Sequence, residues 1–206
     1  MLDARLRPLI DPALNAQGAR LARLGLTANQ VTFAGLALGL TAAGLVAGGA
    51  AGWAILPLLL GRLADGLDGA IARATQPTAL GGYLDILADF TVYAAIPLAF
   101  VWYDPAANGA AGAFLLATFY INAAGFLGYA VLAERRGLET NAQGEKSIYF
   151  ANSLLEGTET IVFLVLICAF PAWFSPLAWL FGGACLLTAV LRYSEARRRF
   201  GQAPRR

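Results

Sequence analysis

The sequence predicts an all-α, polytopic membrane protein with six transmembrane helices and an N-terminal interfacial amphipathic helix. Charged residues make up only 14% of the 206 residues, whereas soluble domains carry about 25%. Hydrophobic residues make up 58%. Six apolar stretches also have about the 20 residues that a helix needs to cross a bilayer. They lie at roughly 29–49, 53–72, 82–102, 110–133, 148–170 and 174–193.

The N-terminal segment, 1–27, precedes the first apolar stretch and is predicted to lie on the inner leaflet. Residues 2–24 combine four arginines with six Leu and Ile side chains from Leu6 to Leu24, and Asp11-Pro12 is a typical helix start. The alternative is a cytoplasmic tail held near the membrane by its charges. The six spans form one domain, 28–193, and residues 194–206 form a basic cytoplasmic tail.

The positive charges orient the spans. Fourteen of the fifteen Lys and Arg residues flank the spans on one side, and the three loops on the other side contain none. Lys and Arg near span ends stay in the cytoplasm, so both termini are expected there. Gly35 and Gly39 in the first span have a spacing that permits close helix packing.

The sequence contains no His, which removes the commonest general base and metal ligand. Zinc, haem and triad chemistry are therefore not expected. Cys168 and Cys185 lie in apolar runs and are interpreted as small buried hydrophobes. Any catalysis must rely on carboxylates, hydroxyls, Lys or Arg with metals that prefer oxygen ligands, such as Mg²⁺ or Mn²⁺.

Charges inside spans are costly and indicate functional sites. Asp65 and Asp68 in the second span are three residues apart, and Asp85 and Asp89 in the third are four apart, so each pair shares a helix face. A short loop joins these spans, and they are expected to be antiparallel neighbours. Asp65 and Asp89 then lie about 10 Å below the cytoplasmic edge, each about seven residues from the end of its span. The other charges in spans are Arg62, Glu156 and Glu159.

Four carboxylates at one depth need a counter-charge. One or two divalent cations would supply it, and the small residues Gly69 and Ala72 would leave a cleft for a ligand. The structural alternative is that the acids only pair with Arg62 and Arg73, but two arginines do not balance four acids.

These residues follow the pattern D-x-x-D-G-x-x-A-R from Asp65 to Arg73 and G-x-x-x-D-x-x-x-D from Gly81 to Asp89. The pattern resembles the signature of the CDP-alcohol phosphotransferases, as do the six spans. Seven residues rather than eight separate Arg73 from Gly81. This difference lies in a loop, where length varies most readily. It puts the loop contacts in doubt rather than the site.

The resemblance implies transfer of a phosphatidyl group from a CDP-alcohol, such as CDP-diacylglycerol, to a small alcohol acceptor, with release of CMP. It implies four acidic site residues with two Mg²⁺ or Mn²⁺ ions, Asp89 also being the base. It further implies a homodimer among membrane lipids in a bacterial inner membrane, with the site facing the cytoplasm and no nucleic acid partner. The metal site would comprise Asp65, Asp68, Asp85 and Asp89, and the substrate site Gly69, Ala72, Arg73 and Gly81.

Three assignments stay open. The segment from Thr27 to Thr32 resembles the family's P-N-x-x-T, with Ala28 replacing Pro. Either Asn29 and Thr32 bind the nucleotide, or the segment only caps a helix. Glu156 and Glu159 either share the cleft or tie a span to Arg62. The acceptor is an anionic alcohol, such as glycerol phosphate or an inositol phosphate, held by basic loop residues, or an amine-bearing one. These basic residues are Arg135, Arg136 and Lys146.

A cation-coupled transporter is the alternative class, because intramembrane carboxylates also line ion pathways. A pseudoenzyme that only binds metal is a third. The clustering of the acids near one membrane face argues against the transporter, and the complete set of four Asp argues against the pseudoenzyme.

Overall fold

A computed structural model describes the backbone of residues 2–136 and 157–201 and the side chains of 10–136 and 157–201. All the secondary structure in these ranges is helical. Seven α-helices follow one another, with a 3₁₀ turn at Pro171–Trp173 before the last. They are α1 Leu2–Arg23, α2 Ala28–Ala47, α3 Ala51–Ala74, α4 Ala79–Tyr103, α5 Pro105–Arg135, α6 Gly157–Ala169 and α7 Phe174–Phe200.

The predicted all-helical class is confirmed. In the described part of the chain, four helical segments are long and apolar enough to cross a bilayer: α2, α4, α5 and Pro171–Phe200. Helix α3 has 24 residues but carries four charged side chains, and the described α6 has 13 residues. Helix α7 continues to Phe200, so the boundary expected at 194 falls inside a helix.

Local sequence sets the helix starts. Before α2, Thr27 Oγ1 accepts a hydrogen bond from Gln30 N at 3.3 Å, and Gln30 Oε1 accepts one from Thr27 N at 3.0 Å. This reciprocal capping box satisfies two backbone donors. Asp104 caps α5 through Ala107 N at 3.0 Å, with Pro105 at the first helical position. The helix-cap interpretation of Thr27 is thus confirmed.

Helix α2 is central because it packs against both α3 and α4. Its backbone touches that of α3, since a Cβ built on Gly61 would lie 3.0 Å from Gly35 O. It also lies close to α4, since a Cβ built on Gly39 would lie 2.3 Å from a methyl group of Val92. The close packing predicted from Gly35 and Gly39 is confirmed. Below this crossing a shared core forms, which includes Val46, Leu58, Ile96, Phe100, Leu115, Leu164, Ile167 and Phe174.

Helices α3 and α4 are not packed neighbours, although both lie wholly within the described residues. The short loop thus makes them neighbours that face each other across a gap, which Arg62 and Asp89 bridge, rather than helices packed directly together. Helix α2 fills the groove between them instead, because its glycines let both approach it closely. The space left between α3 and α4 forms a cleft.

Helix α1 packs against α3. A Cβ built on Gly18 would lie 2.5 Å from the Cβ of Ala70 and 2.7 Å from its carbonyl carbon. Gly18 is buried. Helix α1 is therefore fixed to the helical bundle at a point where neither backbone leaves room for a larger residue.

We expect Gly18→Leu to destabilise the protein, since overpacking a buried contact costs about 1–3 kcal/mol. The free energy of unfolding in detergent micelles measures the effect. The exposed Ala16 on the same helix supplies the control, Ala16→Leu, which should leave it nearly unchanged. Equal stability of the two variants would contradict the contact between α1 and α3.

Candidate functional site

An open cleft lies between α2, α3, α4 and α6. Asp65 and Asp68 of α3 and Asp89 of α4 line it. Asp85 lies one turn before Asp89 on α4, and Asp65 is among its close neighbours. The structure therefore places three of the predicted carboxylates in the cleft lining, on both sides of the gap between α3 and α4, and the fourth beside them.

Asp68 is the most buried of these acids, with 5% of its surface exposed. The Thr32 hydroxyl on α2 donates a hydrogen bond to Asp68 Oδ2 at 2.5 Å. The capping box at Thr27 starts α2 so that Thr32 lies just over one turn into the helix and reaches α3. Thr32, predicted to contact the nucleotide, thus orients Asp68 in this structure.

Arg62 was left without an assigned partner by the sequence. Its Nη1 lies 2.6 Å from Asp65 Oδ2 and 3.5 Å from Asp89 Oδ1. One guanidinium therefore links α3 to α4 across the cleft and offsets part of the negative charge. Glu156 lies outside the described residues, so its predicted pairing with Arg62 is untested. Glu159 lies in the first turn of α6.

Tyr93 is a site residue that the sequence did not reveal. Its hydroxyl donates a hydrogen bond to Asp89 Oδ2 at 3.1 Å. The available signal was its position four residues after Asp89, which places both on one face of α4. Tyr93 also lines the cleft.

Arg73 has a partner that the sequence did not indicate, Asn15 of α1. Its Nε and Nη2 donate hydrogen bonds to Asn15 Oδ1 at 3.1 and 2.9 Å. A Cβ built on Gly69 would lie 3.3 Å from Arg73 Nη1, so the glycine leaves room for the guanidinium. Ala72 is half-buried beside it. Helix α1 thus contributes a side chain at this end of α3.

The loop from α3 to α4 brings Gly81 close to Asn29. A Cβ on Gly81 would lie 3.4 Å from Asn29 Oδ1 and 3.1 Å from Thr78 Oγ1, the group that caps α4. Two predicted substrate residues from distant parts of the sequence are therefore close neighbours. The loop that is one residue shorter than the family pattern still places Gly81 here.

The donor chemistry fits a hard divalent cation, because such ions prefer carboxylate oxygens. Within the described ranges 10–136 and 157–201, no three acidic side chains lie close enough together, as they are placed, to hold one ion. In this arrangement Arg62 contacts both Asp65 and Asp89.

Residues 25–191 match the family model described as CDP-alcohol phosphatidyltransferase. The chain belongs to this family, and it is a membrane transferase of phospholipid biosynthesis. This confirms the resemblance predicted from the signature and places the chain among transferases rather than transporters.

Two curated relatives are similar in sequence. Inner membrane protein YnjF of Escherichia coli K12 is 42% identical over 195 residues, 93% of each chain. Archaetidylinositol phosphate synthase of Pyrococcus horikoshii is 35% identical over 94 residues, 42% of this chain and 46% of that protein.

Solved structures of phosphatidylinositol phosphate synthase (PgsA1) of Mycobacterium tuberculosis share the fold at 22% sequence identity. One, with CDP-DAG bound, gives a TM-score of 0.69 over 89% of this chain and 93% of that chain. The other, in complex with manganese and citrate, gives a TM-score of 0.64 over 88% and 87%.

Proposed function

We propose that this enzyme transfers a phosphatidyl group from CDP-diacylglycerol, or a related CDP-alcohol, to a small alcohol acceptor and releases CMP. The observation that carries the proposal is the cleft that Asp65, Asp68 and Asp89 line from α3 and α4, with Asp85 beside Asp65. The similarity to PgsA1 with CDP-DAG bound supports the choice of donor.

We assign Asp65, Asp68 and Asp85 as ligands of divalent cations, with Asp89 beside them as the base. Two Mg²⁺ or Mn²⁺ ions would neutralise the pyrophosphate and stabilise the departing CMP. The PgsA1 complex with manganese supports this metal class. Thr32 orients Asp68, and Arg62 supplies positive charge beside Asp65 and Asp89.

In the reaction, the acceptor oxygen bonds to the phosphorus of the phosphatidyl group. The bond from that phosphorus to the CMP oxygen breaks, and the proton of the acceptor hydroxyl passes to Asp89. A positioned carboxylate can act as such a base when it is within hydrogen-bond reach of the hydroxyl. CMP leaves with the electron pair of the broken bond.

The donor binds at the ends of α2, α3 and α4. Gly69 and Ala72 leave space beside α3, and Arg73 contacts a phosphate with its guanidinium. Gly81 and Asn29, already close to each other, would border the cytidine. Asn15 restricts the rotation of Arg73 through two hydrogen bonds.

We further propose six spans, with α3 and α6 joining the four apolar segments. The basic residues flanking these segments support a topology with both termini and the site on the cytoplasmic side of a bacterial inner membrane. The relative named inner membrane protein YnjF supports this location. Helix α1 would lie on the inner leaflet, and two copies would form a homodimer.

The decisive experiment incubates purified protein with CDP-diacylglycerol and a panel of alcohols. The panel includes glycerol phosphate, inositol phosphate, serine and inositol. We expect CMP release with one acceptor in Mg²⁺ or Mn²⁺ and none with a chelator, because the acids need a cation to bind the pyrophosphate. Absence of metal-dependent CMP release with every acceptor would refute the proposed donor and metal.

A further inference from the structure

The two oxygens of the Asp89 carboxylate have different surroundings. Oδ2 accepts a hydrogen bond from the Tyr93 hydroxyl at 3.1 Å. Oδ1 lies 3.5 Å from Arg62 Nη1, and the same nitrogen makes a shorter contact of 2.6 Å with Asp65 Oδ2. Of these two contacts to Asp89, the one that Tyr93 makes with Oδ2 is the shorter.

The Tyr93 hydroxyl is itself held in place. Its ring packs against the hydrophobic core that α2, α3 and α4 share. The start of α6 lies near the hydroxyl, since a Cβ built on Gly157 would lie 3.6 Å from it. Tyr93 is half-buried, and a tyrosine hydroxyl in such a position usually has a hydrogen-bond partner, which Asp89 supplies. The packed ring and this hydrogen bond together restrict the orientation of the pair.

We propose that Tyr93 is a positioning residue for the transfer reaction, an inference that rests on the proposed function. Its hydroxyl fixes Asp89 through Oδ2, so that Oδ1 is the oxygen that takes the proton from the acceptor. Correct orientation of a base lowers the barrier because the entropy of aligning it is lost before the reaction.

Tyr93→Phe removes the hydroxyl and keeps the ring in the core. We expect kcat to fall by about tenfold to hundredfold, the loss typical of one hydrogen bond to a charged group. The KM for CDP-diacylglycerol and the Mn²⁺ affinity should stay within about twofold, because substrate and metal bind to other groups. The matched control is Tyr83→Phe on the same helix, where the side chain is 61% exposed; it should keep the wild-type kcat.

The Asp89→Asn background separates positioning from general damage. Tyr93→Phe should cause no additional loss of kcat there, because the two substitutions remove the same function, proton transfer to a correctly oriented Asp89. Infrared spectra with isotope-labelled aspartate give a readout that needs no turnover. Tyr93→Phe should shift one carboxylate band, and that shift should be absent in the Asp89→Asn background.

Two results would overturn the inference. One is a wild-type kcat in Tyr93→Phe, or a fall in kcat that is matched by an equal rise in KM or an equal loss of Mn²⁺ affinity. The other is an unchanged infrared spectrum, which would show that the hydroxyl does not bond to Asp89. If the wild-type enzyme itself releases no CMP, the proposed function fails, and the infrared comparison still tests the contact.

Discussion

Asp89→Asn should bind Mn²⁺ and CDP-diacylglycerol normally and turn over at least about a hundredfold more slowly, because general bases contribute roughly 10²–10⁴ to a rate. The amide keeps the size of the side chain and an oxygen that can accept the Tyr93 hydrogen bond. It cannot take the acceptor's proton. Single-turnover measurement of CMP formation, with Mn²⁺ binding followed by electron paramagnetic resonance, separates the steps.

Asp104→Asn is the control for this variant. Asp104 lies at the other end of α4 and caps α5, and Asn is as good a cap as Asp. It should keep wild-type turnover and stability. Wild-type turnover in Asp89→Asn would remove Asp89 as the base.

Asp68→Asn should weaken Mn²⁺ binding and lower CMP release by more than about a hundredfold. Loss of a residue that only supports a metal ligand costs up to about a hundredfold, and loss of a direct ligand should cost more. The amide oxygen can still accept the hydrogen bond that Thr32 donates at 2.5 Å. The fold should therefore persist, and the lost negative charge explains the effect. Mn²⁺ titration and CMP release report the two quantities.

The comparison with Asp89→Asn makes the assignment of roles testable. A base variant retains the metal, whereas a ligand variant loses it. If Asp68→Asn binds Mn²⁺ as tightly as the wild type, Asp68 is not a ligand. Asp104→Asn again serves as the control, because it removes the same charge away from the cleft.

The helical class and the acidic cleft followed from the sequence because both depend on local spacing. Pairs three and four residues apart must share a helix face, and this was enough to place the acids of α3 on one wall and those of α4 on the other. The capping box at Thr27 is equally local. Its side chains act within three residues.

The remaining contacts depend on how distant helices meet, which spacing does not show. Asn15 contacts Arg73, which lies 58 residues further along the sequence, and no pattern in the sequence of α1 indicates this contact. The placement of α2 between α3 and α4 follows from glycines that meet other backbones and side chains. A short loop suggested direct packing of α3 on α4, but loop length limits only the distance between helix ends.

The crossing of α1 and α3 at Gly18 and Ala70 makes the two positions share one small volume. During divergence, a larger side chain at either position would have to be matched by a smaller one opposite or by a shift of the whole helix. Such a shift would also move Asn15 away from Arg73. Natural variation in the amino-terminal helix is thereby coupled to a residue of the catalytic signature, even though α1 contributes none of the four acids.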